Sequence, residues 1–463
     1  MELLSLRPDY TGKFGDKRLD KRAAQIGSTL MQSKVSSIRR ATLEEASQKA
    51  MYRFFKNEKI EEAKLIEALK ERASQLSVGR DLLVIQDTTY IDLSTHRGRL
   101  QADSGVGHIG NGRPNALGFC LHPALVIDAS LYTIPGFSSY CQWARNSDKG
   151  NRYERQYKKQ PIEDKEAYKW IRGCNESKEV LSGAQSITFI EDREGDIYEQ
   201  FISIPDTNVH LIIRSKTNRK VNGNDKLHTI LAASEPSGTY KLPIQHDLRK
   251  SRKDRTAIME VRYTQVNIQR PVVNRKGPES VSLYALEVKE ISGGVPDPVC
   301  WRILTTHTIT SFEQAMWVIE RYKCRWYIEQ FFRLLKKKGF RIEDSELETG
   351  WAIRKLSVLM AGAVIRIMQM MMSYDDEGVQ TVDEVYNEKE QECMTVLQQK
   401  IQTEKVKNPY NKKSLSWATW IIARLGGWKG TRKEKPPGPI CLKNGLDKFN
   451  LIYQGWLLAK DVS

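Results

Sequence analysis

The sequence predicts an α/β protein with a β-rich insertion, flanked by helical N- and C-terminal regions. Three observations predict it. Short apolar runs that end in polar or charged residues recur between about residues 80 and 215, with a helical stretch among them. Turn-rich, alternating segments fill about 217–300. Both ends carry apolar residues at helical spacing. With 463 residues the chain is longer than one ordinary domain. Its composition, 40% hydrophobic and 28% charged, supplies a sizeable core and argues against disorder of the whole chain.

Residues 1–72 read as helical and basic. Asp16 can cap a helix on which Leu19, Ala23, Ile26 and Leu30 recur at helical spacing. Lys17, Arg18, Lys21 and Arg22 crowd its first turns, where positive charge opposes the helix dipole. A bound phosphate would offset that cost; a solvated basic face is the plainer account. A second helix is expected over about 43–55.

Residues 73–348 form the central unit. Leu82-Leu83-Val84-Ile85 ends in Gln86-Asp87-Thr88-Thr89, and Ser186 to Ile190 ends in Glu191-Asp192-Arg193. Residues 121–127 and His210 to Ile213, the latter leading into Arg214-Ser215-Lys216, are further strand candidates, and 165–181 is helical. A basic stretch, 249–255, lies within the insertion. One helix is expected over 311–338. Residues 349–463 read as mainly helical.

The charge balance points to a polyanion. Lys and Arg total 73 against 57 Asp and Glu, a net +16. Neutralising phosphates with such an excess releases counterions. The seven cysteines form no C-x2-C pair and no zinc spacing; with no secretory signal, a reducing, cytoplasmic setting is expected. The richest apolar run, 356–372, is interrupted by Arg366 and Gln369, so no membrane partner is expected.

Asp87 and Asp192 each follow an apolar strand run. Open α/β sheets place functional groups at such ends. Two carboxylates brought together there repel unless a cation such as magnesium lies between them. Singly, an aspartate so placed is more often a turn or cap residue. The 311–338 helix carries Tyr322, Arg325, Glu329 and Lys336 in the pattern Y-x2-R-x3-E-x6-K. On a regular helix these fall within an arc of about 60°. Trp317, Cys324, Ile328, Phe331 and Leu335 fall on another side. Glu329 can therefore complete a metal site with Asp87 and Asp192, while Arg325 and Lys336 hold phosphates. A surface Arg325–Glu329 pair accounts for those two residues alone. Three carboxylates suit two-metal phosphoryl transfer. Gly105 to Gly110 matches G-x-G-x-x-G, but no strand feeds it and no helix follows, so it reads as a loop. His122 reads as a structural histidine. Trp301 and Trp326, each beside an arginine, are core residues or base-stacking platforms.

The ordered set of Asp87, Asp192 and the Glu329 helix resembles the DDE transposases of bacterial insertion sequences, in particular the insertion-sequence-four family. Gly15-Asp16-Lys17-Arg18, Tyr52-Arg53-Phe54, Gln86-Asp87-Thr88-Thr89, Asp192-Arg193-Glu194, Arg214-Ser215-Lys216 and Ile422 to Gly427 carry the resemblance along nearly the whole chain. Residues 98–123 depart from it. The resemblance implies a ribonuclease-H-like catalytic core at 73–348, a DNA-binding region at 1–72 and a dimerisation region at 349–463. It implies cut-and-paste transposition on double-stranded DNA, at element ends and target, by a homodimer in a bacterial cytoplasm. Nicking, an end hairpin and strand transfer would use two Mg2+ ions, for which Mn2+ can substitute. Asp87, Asp192 and Glu329 would be the catalytic metal ligands. Tyr322, Arg325, Lys336, Arg214, Lys216, Lys17, Arg18 and Arg22 would contact DNA, and Trp301 and Trp326 would hold a flipped base. A silent DNA-binding derivative and a host nuclease with the same core are the competing readings.

Overall fold

The computed structural model describes residues 9–32, 45–100, 104–110, 116–145, 160–244, 254–272, 277–295, 297–336, 339–375, 380–431 and 434–462. Most of the basic stretch 249–255, and residues 111–115 after the glycine-rich motif, lie outside them.

Among the described residues the first helices are α1 (Lys17–Gln32), α2 (Glu45–Lys56) and α3 (Glu62–Leu76). Asp16 does cap α1, its Oδ1 accepting the Arg18 N–H at 2.8 Å. Asp20 receives the N–H groups of Gly12 and Phe14 at 2.9 and 3.1 Å, which ties the preceding turn to the helix. Ala23, Ile26 and Leu30 are buried as their spacing predicts, in one core with Phe54 and Phe55.

The strands β1 (Asp81–Gln86), β2 (Thr89–Asp92), β3 (Gly107–His108), β4 (Leu117–Asp128) and β5 (Gly136–Trp143) precede α4 (Tyr168–Val180). Then come β6 (Ser186–Glu191), α5 (Tyr198–Ser203) and β7 (Val209–Arg214). Their spatial order is β5-β4-β1-β6-β7. The first three strands are antiparallel, and β6 and β7 run parallel to β1. Alternation sends Leu83 and Ile85 to one core and Leu82 and Val84 to the other. Both faces are covered, which is why β1 reads as an unbroken apolar run.

The turn-rich stretch does not make a separate sheet. It contributes β8 (Lys220–Val221), β9 (Asp225–Lys226), α6 (Leu227–Ala233), β10 (Gly238–Ile244), β11 (Arg255–Gln269), β12 (Ser280–Glu290) and β13 (Cys300–Thr305). β13 returns to pair antiparallel with β7, Ile303 opposite Arg214, so these strands extend the central sheet to thirteen among the described residues.

The helices that follow are α7 (Phe312–Lys323), α8 (Trp326–Leu335), α9 (Gly350–Met372), α10 (Glu388–Ile401), α11 (Leu415–Leu425) and α12 (Pro439–Val462). The reading that no apolar run reaches membrane-spanning length is corrected here. By length and composition α9 could cross a membrane, despite Arg366 and Gln369, but its most apolar stretch is 83% buried within the protein. It is the core helix against which α1, α3 and α8 pack. Arg366 is buried in it, 3.4 Å from Glu390 and stacked over the Tyr386 ring.

Candidate active site

Parallel pairing brings the two strand-end aspartates together. Ile85 lies opposite Ile190, and Asp87 and Asp192 each follow two residues later. Neighbouring strands stand about 4.8 Å apart, so the carboxylates leave the sheet side by side. Backbone bonds hold both. Asp87 Oδ1 accepts the Thr88 N–H at 2.7 Å, and Asp192 Oδ1 accepts the Glu194 N–H at 2.7 Å.

Arg325 joins the third carboxylate to them. Its guanidinium donates to Asp87 Oδ2 at 3.2 Å and also to Glu329. The Asp87 side chain is largely covered, whereas that of Glu329 is about half exposed. Burial and the charge of Asp192 push Asp87 up to about 7; Arg325 opposes this, and Glu329 adds a smaller upward push. Asp87 thus senses both other acids. Among the described residues no three Asp, Glu, His or Cys side chains are yet drawn together closely enough to grip a metal ion. Arg325 now stands where positive charge is needed. Hard carboxylate oxygens of this kind are donors that suit a divalent cation such as Mg2+ or Mn2+.

The Glu329 helix is not the single rod its periodicity predicts. It breaks into α7 and α8 at Cys324 and Arg325, whose N–H groups bond back three residues, to Arg321 and Tyr322, at 3.0 Å each. That tighter turn interrupts the helical hydrogen bonding between α7 and α8. Tyr322, Arg325 and Glu329 still gather near the site. Lys336 does not continue their stripe: it ends α8 with a non-helical ψ of −152°, and its Nζ lies 3.9 Å from Glu343. Trp317, expected on the packing side, is 37% exposed under the Arg321 guanidinium, whereas Cys324, Ile328, Phe331 and Leu335 are buried.

Tyr322 is buried, and the charge of Arg214 acts on its phenol. Burial raises the phenol, and the Arg325 and Arg214 charges oppose the rise. The Trp301 ring is 6.1 Å from Tyr322. Lys216 uses its backbone N–H on Asp196 at 2.7 Å and exposes its side chain. Trp326 is 49% exposed, and its described ring partner is Tyr327, not Trp301. Lys17 and Arg18 are exposed on α1 and Arg22 is half-buried there; Arg18 pairs with Asp16 at 3.1 Å, and none of the three has a described contact with the carboxylates.

The glycine-rich motif is a docked strap. Ser104 offers its carbonyl to the Trp351 N–H at 2.7 Å and its hydroxyl to the Gly350 N–H at 3.3 Å, capping α9. Gly105, at φ +82°, has no room for a side chain beneath the Trp351 ring. His122 is fully buried and held neutral, first by burial and then by Lys169 and Arg172. Sequence reasoning passed over Gln86 and Glu191, the buried neighbours of the two aspartates, because single polar residues in apolar runs carry no periodic signal.

Residues 11–60 match the family model described as transposase DNA-binding, and residues 178–365 match the one described as transposase DDE domain. The first match covers the whole of α1 and α2, with Lys17, Arg18 and Arg22. The second contains Asp192, Tyr322, Arg325, Glu329 and Lys336; Asp87 precedes it. Together they support a DNA transposase, an enzyme that acts on DNA. The DDE domain implies a ribonuclease-H-like fold, with which the β5-β4-β1-β6-β7 order agrees, and metal dependence.

Proposed function

We propose that Asp87, Asp192 and Glu329 are the metal-binding catalytic carboxylates of a cut-and-paste transposase in the insertion-sequence-four family, similar to the transposase of transposon five. The observation that carries this reading is that Arg325 joins Asp87 to Glu329 while strand pairing sets Asp192 beside Asp87. Two Mg2+ or Mn2+ ions held there would activate the attacking hydroxyl and stabilise the departing oxygen of an in-line displacement. The chain's own groups do the rest. Arg325, released from the acids, and Arg214 beside Tyr322 present cations to the scissile phosphate. Lys336, steered by Glu343, holds a phosphate farther along. Lys216 adds an exposed cation at the end of β7. The exposed Trp326 face and the Trp301–Tyr322 pair offer flat surfaces for an unstacked base. Lys17, Arg18 and Arg22 engage the backbone of the element end from the N-terminal region.

Within this reading 1–72 binds DNA, 73–348 catalyses, and 349–463 joins two copies. The enzyme nicks the element end, forms and reopens a hairpin, and transfers the strand within a homodimer of the bacterial cytoplasm, acting on nucleoid DNA. The test is cleavage of two labelled duplexes, one bearing the cognate element end and one scrambled, with Mg2+. Cutting confined to the end boundary supports a transposase. Equal cutting of both duplexes points to a nuclease, and binding without cutting to a silent derivative.

A further inference from the structure

On the sheet face opposite Asp87, polar side chains stand where the strand pattern places apolar ones. Leu82 and Val84 point toward α4, and so does Gln86. Gln86, His122 and Glu191 are all buried. Their hydrogen bonds run in series, with the Cys174 thiol as a side branch that accepts from Gln86 Nε2 at 3.0 Å and donates to Glu191 Oε1 at 3.5 Å. Gln86 Nε2 donates to Glu191 Oε1 at 3.0 Å, which leaves Gln86 Oε1 to accept from His122 Nε2 at 3.1 Å. His122 Nδ1 is then the bare nitrogen and accepts the Thr88 hydroxyl at 2.9 Å. Gln200 Nε2 donates to Glu191 Oε2 at 2.6 Å and closes the far end. The line begins at the residues flanking Asp87 and ends at the residue preceding Asp192.

The surrounding fold makes room for it. A methyl group on Gly173, inside α4, would collide with Gln86 Oε1, and one on Gly195 would collide with Glu191 Oε2. Apolar residues would join β1 to β6 without the desolvation cost of this line. Hydrogen bonds add direction: they fix the torsions of the strand ends as well as their separation.

We propose that Gln86, His122 and Glu191 are positioning residues that fix the spacing and aim of Asp87 and Asp192 before a divalent cation arrives. This rests on the reading of those aspartates as metal ligands. The test uses the full chain, with Mn2+ alone as the probe. Calorimetric Mn2+ titration and single-turnover cleavage of an end-bearing duplex are compared for wild type, Gln86→Leu, His122→Ala and Gly173→Ala. Outer partners of this kind contribute roughly 10–100-fold to metal affinity or activity. Each variant is expected to bind Mn2+ about that much more weakly and to cut more slowly, with metal-free DNA affinity unchanged. A merely structural role would shift the unfolding midpoint and leave Mn2+ affinity alone. Gly173→Ala keeps every hydrogen-bonding group and favours the helix, so it decides the matter if Gln86→Leu does not fold. Mn2+ affinity within about twofold of wild type in the folded variants overturns the inference. A wild type that neither binds Mn2+ nor cuts overturns the carboxylate reading itself, and this inference with it.

Discussion

Asp87 makes the metal-free protein less stable as the pH rises. Its carboxyl titrates at about 7 in the fold against 3.8 unperturbed, chiefly through burial and then through the charge of Asp192. Between those two values the folded chain holds a proton that the unfolded chain has lost. Stability therefore falls as pH climbs through this window and levels off above about 7. A rise of roughly three units corresponds to a loss on the order of 4 kcal/mol when the window has been crossed. That is a sizeable share of an ordinary domain's 5–15 kcal/mol, roughly. The assay is urea unfolding of metal-free wild type and Asp87→Asn at steps from pH 4 to 8. The variant should gain on wild type by a few kcal/mol, almost all of it between pH 4 and 7. Glu191, raised to about 8 first by burial, bends both curves downward in the same sense and cancels in the difference. Mn2+ should reduce the gap above pH 7, because a bound cation relieves the same repulsion. A gap that stays flat with pH, or shrinks as pH rises, would refute the reasoning.

Other substitutions probe separate parts of the account. Lys336→Ala should weaken DNA binding and lower its salt dependence by about one counterion, with Mn2+ affinity intact; unchanged affinity and cleavage would remove Lys336 from the DNA path. Trp326→Ala touches an exposed ring, so unfolding should shift by no more than about 0.5 kcal/mol while cleavage slows; a large stability loss with normal cleavage would make it a packing residue. Arg366→Met leaves Glu390 buried without its partner and should cost roughly 3–5 kcal/mol in urea unfolding; a loss under 1 kcal/mol would show the pair to be dispensable. Gly105→Ala forces a side chain into left-handed backbone under Trp351 and should cost about 1–3 kcal/mol, with changed Trp351 fluorescence; an unchanged spectrum and midpoint would contradict the docked strap.

The two aspartates were legible because β1 and β6 are buried on both faces, so their apolar runs stop abruptly at the strand ends. The cap at Asp16 and the buried face of α1 were legible from local spacing. What was not legible depends on distant partners. The break between α7 and α8 falls at Cys324 and Arg325, which keep right-handed torsions, so the apolar rhythm runs through it undisturbed. Lys336 leaves the stripe because its backbone turns at the helix end toward Glu343. The strap at Gly105 is ordered by Trp351, far along the chain, and no local pattern encodes that docking. Joining β13 to β7 is likewise a long-range pairing, so the turn-rich stretch read as a β-rich insertion without showing that its strands continue the central sheet.

The most direct test of the central claim is Mg2+-dependent cleavage of a labelled duplex carrying the cognate element end, by wild type and by Glu329→Ala, with DNA binding measured in parallel. The account predicts cutting at the end boundary by wild type, none by Glu329→Ala, and similar binding by both. Cleavage retained by Glu329→Ala would contradict the assignment of Glu329 beside Asp87 and Asp192.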